Sequence, residues 1–103
     1  DPAERIQKFT HVYRQRYGNL TPDAHAALAY DALKFFAEAV TRAGTTEGSK
    51  LRDALAATKD FAGVTGIISM DHERNAVKPA VILKLEDGKY IYQETIQPES
   101  APR

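Results

Sequence analysis

Residues 21–44 read TPDAHAALAYDALKFFAEAVTRAG, a stretch that predicts one long helix over residues 22–43. Thr21 is placed to cap the helix, and Pro22 lies at the first helical position, where its missing N–H costs nothing. Gly44 follows the last turn, where glycine commonly ends a helix.

The hydrophobic pattern of this helix leaves one narrow polar stripe. Between residues 24 and 40 every residue is apolar apart from His25 and three polar residues at i, i+3 and i+7. These three residues are Asp31, Lys34 and Glu38. The stripe predicts that Asp31 faces water or another helix. A helix that is hydrophobic nearly all round belongs inside a sizeable protein, so it requires more packing partners than 103 residues supply.

Composition excludes several classes of function. The 14 lysine and arginine residues balance 14 aspartate and glutamate residues, so no basic field indicates a nucleic-acid partner. No stretch approaches the ~20 apolar residues of a membrane span. Cysteine is absent, which excludes disulfides and thiolate metal sites. The first residues, DPAERIQ, lack the features of a signal peptide, so we expect either none or a mature or trimmed chain.

Helical patterns flank the long helix on both sides. Residues 2–17 are predicted to form a first helix, with Asp1 as its cap and Pro2 in its first turn. Its apolar stripe consists of Ile6, Phe9, Val12, Tyr13 and Tyr17. A third helix is predicted over about residues 47–58.

Strand character begins after the third helix. The sequence DFAGVTGIISMD predicts a turn and then one short strand over about residues 65–70. Gly63 and Gly66 are interpreted as turn and close-packing glycines, because a strand and not a helix N-terminus follows them. Residues 81–97 predict a β-hairpin around the pair Asp87-Gly88.

The order of these signatures resembles the C-terminal part of type I periplasmic solute-binding proteins, the branched-chain amino-acid (Leu/Ile/Val) family of ABC importers. The matching stretches are YRQRYG, TPDAHAALAYDALKFFAEAVTRAG, LRDALAATKDFAGVTGIISMD and VKPAVILKLEDGKYIY. The resemblance implies an α/β chain that is the C-terminal fragment of a two-lobed fold. It would contain three helices, one short strand and a hairpin.

The resemblance also implies how the chain divides between the two lobes. Residues 1–71 would be the helical part of the first lobe, and residues 72–80 would cross between lobes. Residues 81–97 would be a hairpin of the second lobe, followed by a tail over residues 98–103. The chain departs from the family at Arg74, which replaces a usual glycine, and Asn75 is the expected alternative for a left-handed residue.

His25 is the candidate ligand-binding residue. The resembling family usually has an aromatic residue at this position, facing the cleft and the amino-acid ligand, so we expect His25 to line the pocket. The alternative is a buried histidine that is hydrogen-bonded to a neighbouring carbonyl. No metal is expected, since adjacent residues such as Asp71, His72 and Glu73 rarely converge on one ion. No cofactor or catalytic motif is present.

The resemblance implies a non-enzymatic substrate-binding component of an ABC importer, located in the periplasm or at the cell surface. It would bind a small amino acid, with an aliphatic branched-chain one favoured, and present it to the ABC permease. We expect the chain alone to bind no amino acid and to self-associate through its apolar helix. Two alternatives stay open: a ligand-sensing regulator of the same fold, and a small α+β protein-interaction module.

Overall fold

The computed structural model describes residues 4–99 as three helices followed by five strands. The helices are α1 (Glu4–Arg16), α2 (Ala24–Ala43) and α3 (Gly48–Ala56). The strands are β1 (Phe61–Gly63), β2 (Gly66–Met70), β3 (Ala76–Val77), β4 (Ala80–Glu86) and β5 (Lys89–Ile96). They form two antiparallel sheets, one of order β1-β2-β3 and one of β4 with β5. The predicted cap Asp1, the predicted first-turn Pro2 and most of the tail lie outside the described residues.

The start of α2 differs from the prediction. Asp23, and not Thr21, is the N-cap, and its Oδ1 accepts a hydrogen bond of 2.8 Å from the Ala26 amide. A charged carboxylate at this position also interacts favourably with the helix dipole. Thr21 instead accepts a hydrogen bond of 3.0 Å from the Arg14 guanidinium, which connects the linker to α1. The predicted end is confirmed, because Gly44 adopts a left-handed conformation with φ of 69°.

Side-chain contacts join neighbouring helices of the described chain. Phe9 of α1 packs on Tyr30 of α2 with ring centroids 4.6 Å apart. The Arg42 guanidinium, near the C-terminal end of α2, donates to the Thr58 hydroxyl at 2.8 Å and the Ala54 carbonyl at 3.3 Å. Cations near a helix C-terminus are favourable, and Arg42 also satisfies a carbonyl at the end of α3.

The sheet around β2 is larger than predicted. The predicted strand over 65–70 is present as β2, but β1 precedes it and pairs with it through Gly63 and Gly66, with Val64 and Thr65 as the two-residue turn. Residues 72–80, which the resemblance assigns to the crossing between lobes, contain the two-residue strand β3. Strands of two or three residues are too short to show an alternating pattern in the sequence.

The predicted hairpin is confirmed as β4 and β5. Asp87 and Gly88 form its turn with φ of 51° and 74°, the left-handed pair that a two-residue hairpin requires. Gln93 is an extra residue in β5, since Ile82 pairs with Glu94 and Leu83 with Tyr92. Every residue of both strands is exposed.

The hydrophobic core of the described chain is small. Within residues 4–99 the buried apolar side chains are those of Ala39, Phe61 and Ile68. In contrast, Leu33 and Phe36 of α2 are 70% and 45% exposed. Much of the apolar surface of α2 therefore lies open in this chain. Despite its length, α2 is not apolar enough to cross a membrane, and the same holds for the other helices of residues 4–99.

Candidate functional site

Asp31 connects α2 to the turn between β1 and β2. Its Oδ1 accepts a hydrogen bond of 2.8 Å from the Val64 amide, and its Oδ2 accepts from the Thr65 amide at 2.8 Å. The Thr65 hydroxyl adds a third bond of 2.6 Å to Oδ2. Asp31 is only 3% exposed, so the expectation that it faces water or another helix is wrong. A buried carboxylate requires such donors, and the turn supplies three of them.

Gly63 allows this close approach of helix and turn. A Cβ atom on Gly63 would lie 2.6 Å from Asp31 Oδ2 and 2.9 Å from its Cγ. No side chain fits there without displacing the carboxylate. The interpretation of Gly63 as a close-packing glycine is confirmed. Gly66 has a φ of 134°, as expected of a turn glycine.

A lysine extends this network into the segment predicted to cross between lobes. The Lys78 ammonium donates to the Thr65 hydroxyl at 3.3 Å, while the same hydroxyl donates to Asp31. Lys78 therefore ties the chain after β3 to the β1–β2 turn and, through it, to α2.

The residues of this network also line a shallow, mostly apolar groove of about 240 Å³. On α2 it is lined by Leu28, Ala32 and Phe35, which share one helix face. Across from them, the sheet contributes Ile68 and Met70. Its walls suit an aliphatic group.

His25 lies at the N-terminal end of the same helix, one turn before Leu28. Its side chain is exposed among residues 4–99. The pocket role and the buried alternative both stay predictions for a complete receptor. His25 is not among the residues lining the groove beside Asp31. Within residues 4–99, His25 therefore lies in the first turn of α2 and outside the groove.

The turn between β2 and β3 is a second polar feature. Asp71 Oδ1 accepts hydrogen bonds of 2.8 Å from the amides of Glu73 and Asn75. The bond from Asn75 contributes most to lowering the pKa of Asp71, with smaller contributions from Glu73 and the neighbouring His72, while desolvation acts in the opposite direction. Arg74 itself takes the left-handed conformation, with φ of 70°, so the expected alternative at Asn75 is wrong.

No metal centre is formed by the side chains described. Across residues 4–99, no three His, Asp or Glu side chains lie together in a way that could hold an ion. The Asp71 carboxylate is occupied by backbone amides, and the His72 imidazole lies 3.6 Å from Glu73.

Sequence reasoning missed the role of Asp31 because helical periodicity grouped it with exposed residues. The available signal was a glycine, Gly63, followed two positions later by Thr65, a residue with both an amide and a hydroxyl to donate. That signal predicts a close approach but does not identify which carboxylate approaches.

Comparison with known proteins gives a consistent result. A family model described as periplasmic binding protein matches residues 1–89. The chain is similar to the leucine-binding protein LivK from Thermotoga maritima, with 32% identity and a TM-score of 0.78, over 94% of this chain and 27% of that one.

Two further solved structures are similar to the chain. One is the branched-chain amino acid transporter substrate-binding protein LivJ from Streptococcus pneumoniae in complex with isoleucine, with 38% identity, a TM-score of 0.77, and coverage of 93% and 27%. The other is an ABC transporter substrate-binding protein from Desulfitobacterium hafniense in complex with Leu, with 30% identity, a TM-score of 0.79, and coverage of 90% and 28%. The chain thus spans 27–28% of the length of these proteins.

Proposed function

This chain belongs to the periplasmic binding protein family, and we propose that it is the C-terminal part of the solute-binding component of an ABC importer. Its solute is a branched-chain amino acid, held between two lobes, and its role is binding and not catalysis. Two similar proteins were solved with isoleucine and with Leu, which supports this class of solute.

One observation supports the proposal most directly: apolar side chains of α2, which a complete lobe would cover, are exposed in this chain. It aligns over 94% of its own length with 27% of LivK, and the apolar side of α2 is open. Leu28, Leu33 and Phe36 are 44%, 70% and 45% exposed. Burying a leucine or phenylalanine side chain is worth about 1.5–3 kcal/mol, so a complete receptor gains stability by covering this face.

The contacts support a division of the chain between two lobes. Residues 1–71 belong to the first lobe, which the Asp31 network holds together. Residues 72–80 form a crossing, of which the part up to Lys78 is attached to the first lobe through Thr65. Residues 81–97 form a hairpin of the second lobe, which agrees with the exposure of every residue in β4 and β5. The ligand contacts both lobes only in the closed state, so ligand binding favours closure. Because Lys78 is attached to the first lobe, the bend that accompanies closure lies after this residue.

His25 lines the ligand pocket of the complete receptor. Its exposure here and its place one turn before the apolar groove leave it free to face a ligand in the cleft. An imidazole at the edge of an otherwise apolar pocket fixes the orientation of a bound amino acid, while apolar walls accept its side chain.

The remaining partners follow from this role. The closed receptor is presented to an ABC permease, in the periplasm or at the cell surface. The 103-residue chain alone binds no amino acid, since most of the fold of its relatives lies outside it. It self-associates instead, because the open face of α2 is apolar.

The test is a chimeric receptor in which this chain replaces the corresponding part of the Streptococcus pneumoniae LivJ protein, to which it is 38% identical. Calorimetric titration with leucine, isoleucine and valine is expected to give micromolar binding. His25→Ala is expected to weaken binding about tenfold, which corresponds to about 1.4 kcal/mol for one lost polar contact. His11→Ala is the matched control, because His11 is an exposed histidine of α1.

Two results would contradict the proposal. A folded chimera with no affinity for any of the three amino acids would refute the assignment of solute. Equal affinities of the His25→Ala and His11→Ala chimeras would refute the role of His25 alone. Titration of the 103-residue chain by itself is expected to show no heat of binding.

A further inference from the structure

A polar pocket of about 370 Å³ lies between α3 and the turn that joins β2 to β3. Its charged lining comes from three segments. The residues are Arg52 and Asp53 of α3, Lys59 after α3, and Asp71, His72 and Arg74 of the turn. Neither His25 nor the Asp31 network contributes to its lining.

Arg74 has an unusual backbone conformation in this pocket. Its φ of 70° falls in the left-handed region, which is uncommon for residues other than glycine. The other non-glycine residues with positive φ within residues 4–99 are Asn19, Asp60 and Asp87, types that tolerate this region. Arginine does not share this tolerance of positive φ. Its presence at this position therefore indicates that its side chain has a function.

The turn is built to hold Arg74 in that conformation. The Asp71 carboxylate binds the amides of Glu73 and Asn75 on either side of Arg74. The Asp71 amide donates to the Asn75 carbonyl at 2.9 Å, and the Arg74 amide donates to the Asp71 carbonyl at 3.3 Å. These bonds close the turn around Arg74, which leaves its side chain without a role in folding the turn.

The pocket contains more positive charge than its own acids neutralise. Asp53 is engaged by the neighbouring Arg52 at 3.3 Å, and Asp71 by backbone amides. Lys59 makes one hydrogen bond, to the Met70 carbonyl at 3.0 Å, and its ammonium keeps two further N–H donors. The Arg74 guanidinium has no hydrogen bond or ion pair with any side chain or carbonyl of residues 4–99.

We propose that this pocket binds a phosphate group, held by the Arg74 guanidinium and the Lys59 ammonium. A guanidinium offers paired N–H donors that match two phosphate oxygens, and an ammonium acts as a compact positive charge beside it. His72 also lines the pocket and offers an imidazole N–H donor. The phosphate comes either from a soluble phosphate monoester or from a lipid headgroup, and these sources share the same recognition chemistry.

The test is titration of the isotope-labelled 103-residue chain with inorganic phosphate at constant ionic strength, observed through its amide NMR signals. Saturable shifts are expected in residues 71–75, with a Kd on the order of 1 mM, since the pocket is open to solvent. Arg74→Gly is expected to weaken binding about tenfold, because a charged hydrogen-bonding partner is lost. The variant also removes the unfavourable φ, so loss of folding does not obscure its effect.

Lys89→Gln is the matched control, since it removes one positive charge from the start of β5, which does not line the pocket. It is expected to leave the Kd unchanged. Absence of saturable shifts in residues 71–75 would overturn the proposal, as would equal phosphate affinities of the Arg74→Gly and Lys89→Gln chains.

Vesicle co-sedimentation then separates the two sources. Wild-type chain that sediments with phosphatidic acid vesicles but not with phosphatidylcholine vesicles identifies a lipid headgroup. Phosphate binding in solution without sedimentation identifies a soluble monoester. In either case Arg74→Gly is expected to reduce the binding that is observed.

Discussion

The Thr65 hydroxyl donates a hydrogen bond of 2.6 Å to the carboxylate of Asp31, across 34 positions of sequence. The same carboxylate also accepts the amides of Val64 and Thr65. One side chain in the middle of α2 therefore orients the β1–β2 turn. Through Lys78, which donates to the same hydroxyl, it also positions the start of the segment that we assign to the lobe crossing.

Replacing this carboxylate is expected to be costly. Asp31→Asn puts an amide group, which is a donor, where the buried carboxylate accepts from backbone N–H groups. We expect the free energy of unfolding to fall by about 3 kcal/mol, because hydrogen bonds to a buried charged group are lost and donors are left unsatisfied. Urea unfolding followed by circular dichroism measures this change.

Glu38→Gln is the control for Asp31→Asn, since both residues belong to the stripe seen in the sequence. Glu38 is exposed, and its Oε1 lies 4.0 Å from Arg42 Nε. The expected loss is below about 0.5 kcal/mol, as for exposed ion pairs. Similar losses for the two variants would show that Asp31 does not hold the turn.

A methyl group on Gly63 is expected to separate α2 from the β1–β2 turn. Gly63→Ala places Cβ 2.6 Å from Asp31 Oδ2, so the carboxylate must move and its hydrogen bonds lengthen. We expect a loss of about 2 kcal/mol in the free energy of unfolding. The comparison is Gly48→Ala, where no atom lies within 4 Å and the position is helical, so stability should stay equal or rise slightly. The account would be contradicted if Gly48→Ala lowered the free energy of unfolding and Gly63→Ala did not.

The β2–β3 turn is expected to weaken in acid. The pKa of Asp71 is lowered in the folded protein, chiefly by the hydrogen bond from the Asn75 amide. Its stabilising contribution is therefore complete above the unfolded pKa of about 3.9 and is lost as the pH falls through the lower folded value. We expect the wild-type chain to melt at a higher temperature than Asp71→Asn at pH 7, and this gap should close in acid. The prediction is wrong if the difference in melting temperature between the two chains is the same at pH 2 and pH 7. Carbon NMR titration of the Asp71 carboxyl measures its pKa directly.

The open face of α2 is expected to drive self-association of the 103-residue chain. Leu33 is 70% exposed on this helix, and Leu33→Gln removes its apolar surface. We expect the dimer dissociation constant to rise about tenfold, since burying a leucine contributes about 1.5–3 kcal/mol. Leu20→Gln is the control, because Leu20 is 65% exposed but lies in the α1–α2 linker. Sedimentation showing a wild-type monomer at all concentrations would exclude self-association.

Features set by neighbouring residues were predicted from the sequence. The long apolar helix ends at Gly44 and the hairpin turns at Asp87 and Gly88, as expected. These features depend on local backbone preference and on hydrophobic periodicity, which a single stretch of sequence contains. The helix start was misplaced by two residues, because Thr21 and Asp23 both suit an N-cap and only the hydrogen bond to Ala26 distinguishes them.

The hydrophobic pattern was enough to predict that α2 is apolar on nearly every side and needs further packing partners. The folded chain was needed to show that Asp31 is buried against the β1–β2 turn, and that Arg74 and not Asn75 takes the left-handed position. For Asp31 the cause is that its partners lie 33 and 34 positions away in the sequence. Burying the Asp31 carboxylate is favourable only when the amides of Val64 and Thr65 donate hydrogen bonds to it. The residues next to Asp31 in the sequence do not indicate that these donors lie close to it in the folded chain.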